Sequence, residues 1–183
     1  MSVSENRVIW RYEWVGMVFI MLLGGLLHFT FEMSGFNPVV GAFSAVNESV
    51  WEHLKLGFWP AVLYAAIEYR QIRKQTNNFF VAKTVVPYTV IVVVTAIFYS
   101  YTSITGESIF LIDITSFFVA VIMGQYLSYR LLIRDKLADW TEKLALALCV
   151  MLGILFVVFT FYPPELSPFQ DPSGDYGIIE HAH

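Results

Sequence analysis

Apolar residues in this chain come in long blocks, not in the three-and-four spacing of a half-buried helix, and charged residues gather in the gaps between blocks. Uncharged runs at 15–31, 84–106 and 144–164 come close to or exceed the roughly 20 residues a helix needs to cross a bilayer. A fourth run, 108–129, is of similar length but carries Asp113, and a fifth, 56–67, is short and bounded by Lys55 and Glu68. The basic residues decide whether the short run crosses. Arg7 and Arg11 precede the first run, Arg70, Arg73, Lys74 and Lys83 flank the gap after 56–67, and Arg130, Arg134, Lys136 and Lys143 flank the gap after 108–129. If all five runs cross, ten of the eleven Lys and Arg residues fall on one side and Lys55 alone lies opposite. If 56–67 does not cross, that segregation is lost. The positive-inside rule therefore predicts an all-α polytopic membrane bundle of five transmembrane helices, over about 13–32, 50–69, 83–105, 108–130 and 142–163. Its N-terminus is cytoplasmic and its C-terminus outside.

Composition agrees. The chain of 183 residues is 57% hydrophobic and only 14% charged, with mean hydropathy +0.61, where a soluble domain carries roughly 25% charged residues. A soluble enzyme and a nucleic-acid binder are excluded, and the lone Cys149 excludes an intrachain disulfide. The expected location is the cell membrane as a multi-pass protein, with the lipid bilayer as first partner. Five helices without an inverted repeat favour a homo-oligomer or a membrane partner. Arg7 and Arg11 resemble the charged start of a secretory signal, but no small-residue cleavage site follows the first apolar run, so it is a retained anchor. Asp139-Trp-Thr-Glu142 has the form of a capping box opening the last helix, and Pro163-Pro164 end it.

The bundle thus fills 1–164, and 165–183 form an outer tail in which Asp171-Pro172-Ser173-Gly174 specify a turn. Phe169, Tyr176, Ile178 and Ile179 let this tail lie back on the bundle as a lid. Asp171, Ser173 and Asp175 have the spacing of a calcium loop, but Tyr176 stands where glycine is needed and no closing Glu follows. His181 and His183 at the extreme terminus are expected to be disordered.

Nine of the fifteen acidic residues and all four histidines fall on the outer side in this topology. His28 and Glu32 stand four apart on one helix face. Asp113 is expected about two turns inside its helix, where an unpaired carboxylate costs on the order of 3 kcal/mol, and Lys55 is its nearest candidate partner. The densest stretch is Asn47-Glu-Ser-Val-Trp-Glu-His-Leu-Lys55. With Asn47 as N-cap of the second span, and Pro60 as a place for a kink, Glu48, Glu52 and Lys55 share a stripe and His53 is turned about 100° away. Lys55 then neutralises both carboxylates while Trp51 and Trp59 sit in the interfacial belt, or the carboxylates hold a cation. Elsewhere Gly24-Gly25 allow close helix packing, Glu68 is expected to snorkel towards Arg70 or Arg73, and Gln125 to bond between helices.

The segment 41–55, with His28 and Glu32 before it and Pro163-Pro164, Asp171-Pro172 and Tyr176-Gly177 after it, resembles a family of small multi-pass membrane proteins of bacteria and archaea, a domain of unknown function. The resemblance covers essentially the whole chain and implies a multi-pass fold without an activity. Asn47 to His53 also resembles the early motif of the superfamily of alkaline ceramidases and adiponectin receptors, which sets an acid and a His around an Asn at a helix end. That superfamily has seven helices and paired histidines on the last, whereas the fifth span here has none.

Two readings follow. In one, the protein is a metal-dependent intramembrane hydrolase of a lipid-like substrate. His28, Glu48, Glu52 and His53 would supply ligands to a divalent metal such as Zn, and Glu32, Asp113 and Asp171 the acid–base chemistry. In the other it is a non-enzymatic carrier or accessory subunit that binds a cation, proton or polar small molecule in the same pocket.

Overall fold

The computed structural model of the chain describes residues 3–178, so Ile179, Glu180, His181 and His183 lie outside the described residues. Six helices follow one another: α1 (Val3–Met33), α2 (Pro38–Gly41), α3 (Val50–Ile72), α4 (Phe79–Thr105), α5 (Phe110–Leu132) and α6 (Asp139–Phe161). Four stretches, Glu5–Met33 of α1 and all of α4, α5 and α6, are long and apolar enough to cross a membrane. The surface of the bundle is correspondingly rich in exposed apolar side chains, among them Leu22, Leu26, Val92, Val150 and Ile154. At 1.5 Å per residue the 23 residues of α5 and of α6 reach roughly 35 Å, enough for a hydrocarbon core of about 30 Å.

The long α3 has 23 residues but is less apolar because it carries Glu52, Lys55 and Glu68. All three are buried among the other helices and not turned outward. Close contacts show how α3 runs. A side chain at Gly24 of α1 would meet the Leu56 carbonyl at 2.7 Å, and one at Gly16 would meet the Tyr64 ring at 2.7 Å. Moving down α1 thus moves up α3, and the two are antiparallel along most of their length. Of the expected Gly24-Gly25 pair, only Gly24 packs closely, for nothing lies within 4 Å of a side chain at Gly25.

The same logic orders the rest. Gly124 of α5 lies against the backbone of Val86 in α4, and Tyr101 near the end of α4 reaches Asp113 near the start of α5, so these two are antiparallel. Thr84 and Tyr88 of α4 donate to the carbonyls of Ala145 and Leu148 in α6, so those two are parallel. The chain therefore alternates direction through α1, α3, α4, α5 and α6. At one end Ile9, Ile72, Phe79, Ala82 and Leu132 form a cluster. There Asn78, left-handed at φ 53°, joins the two basic loops by donating to the Leu131 and Asp135 carbonyls and accepting from Leu137 N–H. At the other end lie α2, the 42–49 loop, the turn at Gly106 (φ 78°) and the tail after α6.

Local expectations fare unevenly. Asn47 is not the N-cap of α3. Ser49 is, accepting from Glu52 N–H at 3.4 Å, while the Asn47 side chain accepts from Ser49 N–H and donates to the Gly177 carbonyl. The capping box at the start of α6 does not form, because Glu142 turns away to accept from Phe80 N–H of α4 at 2.7 Å. Asp113 lies in the first turn of α5 and not two turns inside, so it is half-buried at a helix end. Its partner is Tyr101, not Lys55. The Trp51 ring packs against Phe156, Phe159 and Phe169.

Candidate functional site

The site begins with the break between α2 and α3. Because Ser49 caps α3, Glu48 precedes the helix and is free of its face, so it does not share a stripe with Glu52. The Glu48 carboxylate instead bridges two histidines, one oxygen 3.6 Å from His28 Nε2 of α1 and the other 3.4 Å from His53 Nε2 of α3. The two imidazole rings lie 5.2 Å apart. One ligand atom from each of His28, Glu48 and His53 falls within 4.8 Å of the others, a spacing from which the three could hold a metal ion. The Ser49 carbonyl lies 2.9 Å from His53 Nδ1 and can only accept, so Nδ1 carries a hydrogen, and Nε2, which faces Glu48, donates to that carboxylate when the ring is doubly protonated and offers it no hydrogen when the ring is neutral. A hydrogen bond from His53 outweighs partial burial and holds the Glu48 carboxyl below the usual carboxylate range.

Glu52 is one residue from His53 but faces the other way. It is fully buried, 2.5 Å from the Lys55 ammonium, and accepts from Val46 N–H at 3.0 Å and from Thr160 at 3.3 Å. Lys55 in turn donates to the Gly41 carbonyl at 2.8 Å and to Thr160 Oγ1 at 2.6 Å. This ion pair ties α3, α6 and the loop that carries Glu48; it is not part of the histidine cluster.

The remaining candidates surround the cluster at different removes. Asp171 accepts from Glu48 N–H at 2.8 Å and from Ser173 N–H at 2.8 Å, which binds the tail turn to the very residue that bridges the histidines. Asn47 to Gly177 and Trp51 against Phe169 fasten the same tail. The described part of the tail therefore docks beside the site. Asp113 lies within electrostatic range of His53, and Glu32, exposed at the end of α1, within range of His28.

A second polar cluster escaped sequence reasoning. Glu13 of α1 and Glu68 of α3, both fully buried, converge on Lys83 of α4 at 2.5 and 2.6 Å. Ser128 of α5 donates to Glu13 at 3.2 Å. Glu68 thus pairs with Lys83 and does not snorkel towards Arg70 or Arg73. Gln125, one turn from Ser128, is buried but its carbonyl oxygen has no hydrogen-bond partner among the described residues.

Residues 1–178 match a family of unknown function, DUF6512. The chain belongs to that family. No curated protein and no solved structure matches it. Membership extends over the histidine cluster, the buried ion pairs and the docked tail alike, so these belong to a stretch that the family spans as one unit. In this DUF6512 protein function must be argued from the chemistry of the site.

Proposed function

We propose that this DUF6512 protein is a five-helix integral protein of the cell membrane, N-terminus inside and C-terminus outside. It binds a divalent metal of the zinc type through His28, Glu48 and His53 at the outer face, and hydrolyses an ester or amide of a lipid-like substrate there. The observation that carries the reading is the convergence of the three ligand atoms within 4.8 Å, from two helices and a loop. Two imidazoles and one carboxylate are a donor set that suits zinc and leaves a fourth position open. The Ser49 carbonyl fixes the His53 ring as a backbone acceptor fixes a ligating imidazole. A metal there would supply Lewis acidity and a water of lowered pKa, and Asp113 and Glu32 are the carboxylates whose charge is felt at His53 and His28 and to which we assign the acid–base role. Asp171 is committed to the Glu48 backbone, so its part is to hold the tail over the site.

The fifth crossing rests on α3 lying antiparallel beside α1, with every charge of its interior turned into the bundle. The orientation rests on the basic residues gathered at the end opposite the histidines.

The test is elemental analysis of detergent-purified protein, wild type beside a His28→Ala, His53→Ala double variant that elutes as folded protein. About one transition-metal ion per chain is expected in the wild type and none in the variant. A wild type without metal, or a variant that keeps it, refutes the site. Metal-loaded protein that cleaves no lipid ester or amide keeps the site and refutes the hydrolase, which leaves the carrier reading.

A further inference from the structure

The buried cluster at the far end of the bundle has one negative charge too many. Glu13 and Glu68 bring two carboxylates and Lys83 one ammonium, and all three are shielded from solvent. Sites this dry do not hold a net charge unless something compensates. The neighbours offer little. From α5, Ser128 donates to the Glu13 oxygen that already meets Lys83. From α3, the Tyr64 hydroxyl spends its hydrogen on the Tyr12 carbonyl of α1 at 2.8 Å. Glu142 of α6 is taken up by Phe80 N–H of α4, and Arg73 stands over the Phe80 ring at 5.9 Å, outside the cluster.

Two oxygens, Oε2 of Glu13 and Oε1 of Glu68, have no hydrogen-bond partner among the described residues. The amide of Gln125, 1% exposed, reaches the same region, since a side chain at Gly16, one turn from Glu13, would meet it at 2.2 Å. Its carbonyl oxygen is also without a partner. Free acceptors outnumber donors at a place where charge is in excess. A single proton corrects both faults, because a carboxyl O–H removes the extra charge and provides the missing donor.

We infer that Glu13 and Glu68 form a proton-binding site that holds one exchangeable proton between them, with Lys83 as the fixed counter-charge. The pair titrates as a unit, and its proton belongs to neither residue alone. The placement gives the site a distinct position. Glu13 is fifteen residues from His28 along α1, roughly 22 Å, so the proton site stands across most of the membrane thickness from the histidine cluster.

The full chain, reconstituted in lipid vesicles, is followed by infrared difference spectroscopy at neutral pH in the presence and absence of sodium. The wild type is expected to show a protonated-carboxyl band. Glu13→Gln and Glu68→Gln should each remove it, because one carboxylate against one ammonium needs no proton. Lys83→Met should raise it about twofold, because both carboxyls must then be neutral. Bands from Asp113 or Glu52 are recognised by their persistence in the Gln variants. The inference is overturned if neither Gln variant removes a band. It is equally overturned if sodium at constant pH abolishes the band, which would make the ligand a metal cation. If the Gln variants fail to fold, the Lys83→Met arm decides alone, and an unchanged band there also overturns it.

Discussion

Lys55→Met tests the ion pair that builds the outer site. In the folded protein the Lys55 ammonium is wholly buried and touches Glu52 at 2.5 Å, the Gly41 carbonyl at 2.8 Å and Thr160 at 2.6 Å. Methionine has nearly the same length and volume, so little is lost in packing. What is lost is the counter-charge of Glu52, whose carboxylate keeps only the Val46 N–H at 3.0 Å and Thr160 at 3.3 Å. Removing one partner of a buried pair costs about 3–5 kcal/mol, because the other charge stays buried and uncompensated. The double variant Glu52→Gln, Lys55→Met removes both charges, and its cost falls to the loss of the hydrogen bonds, about 1–2 kcal/mol. Equilibrium unfolding in mixed micelles, scored by tryptophan fluorescence, measures both. The expected pattern is a single variant less stable than the double. A Lys55→Met protein within about 1 kcal/mol of wild type, or a double variant worse than the single, would refute the claim that this buried pair organises the site.

Three further outcomes are expected. Gly24→Val should destabilise by about 1–3 kcal/mol, since its Cβ would lie 2.7 Å from the Leu56 carbonyl, whereas Gly25→Ala meets nothing within 4 Å and should be neutral or slightly stabilising in the same unfolding assay. Single cysteines in a Cys149→Ala background should place Val39, Gly106 and Gly174 on one side of sealed vesicles and Asn77 and Lys136 on the other when probed with an impermeant thiol reagent; labelling of Asn77 on the same side as Val39 would exclude α3 as a crossing. Asn47→Ala, which deletes the bonds to Ser49 N–H and to the Gly177 carbonyl, should cost about 1 kcal/mol and make the tail cleavable by protease at lower concentration, and an unchanged cleavage rate would show that the tail is held elsewhere.

The long helices were legible because a helix that crosses a bilayer needs apolar length, and the short second run falls inside α3, a helix of 23 residues. The boundaries suffered where a charge was taken as a stop. The expected first span of about 13–32 put Glu13 at its edge, yet α1 begins at Val3 and carries Glu13 within it, paired with Lys83. At the outer end one residue type was misjudged. Asn47 and Ser49 both make good N-caps, and choosing Asn47 wound Glu48 and Glu52 onto one face. Ser49-Val-Trp-Glu52 has the spacing of a capping box, and that signal pointed to the cap the structure uses. With Ser49 as cap Glu48 falls outside the helix and can reach His28, while Glu52 turns to Lys55.

Proposing that His28 meets His53 already fixes the antiparallel register of α1 and α3. Fifteen residues back along α1 stands Glu13, and fifteen residues on along α3 stands Glu68, so the pairing that makes the outer cluster also places the two carboxylates opposite each other. Taken singly, each looked like a surface charge at a helix end, and only the register makes them neighbours. The third member, Lys83, follows from α4 running antiparallel to α3, with Val90 against Gly57 one direction along the contact and Lys83 against Glu68 the other. The chain thus sets polar clusters at both ends of one helix pair, histidines with a carboxylate at one end and carboxylates with a lysine at the other. Because α1 and α3 contribute to both, a tilt or slide of one against the other that opened the histidine cluster would also strain the Glu13–Lys83–Glu68 contact. Metal binding at the outer end is therefore expected to shift the carboxyl band at the inner end, and a band that is the same in metal-free and metal-loaded wild type would show the two sites to be independent.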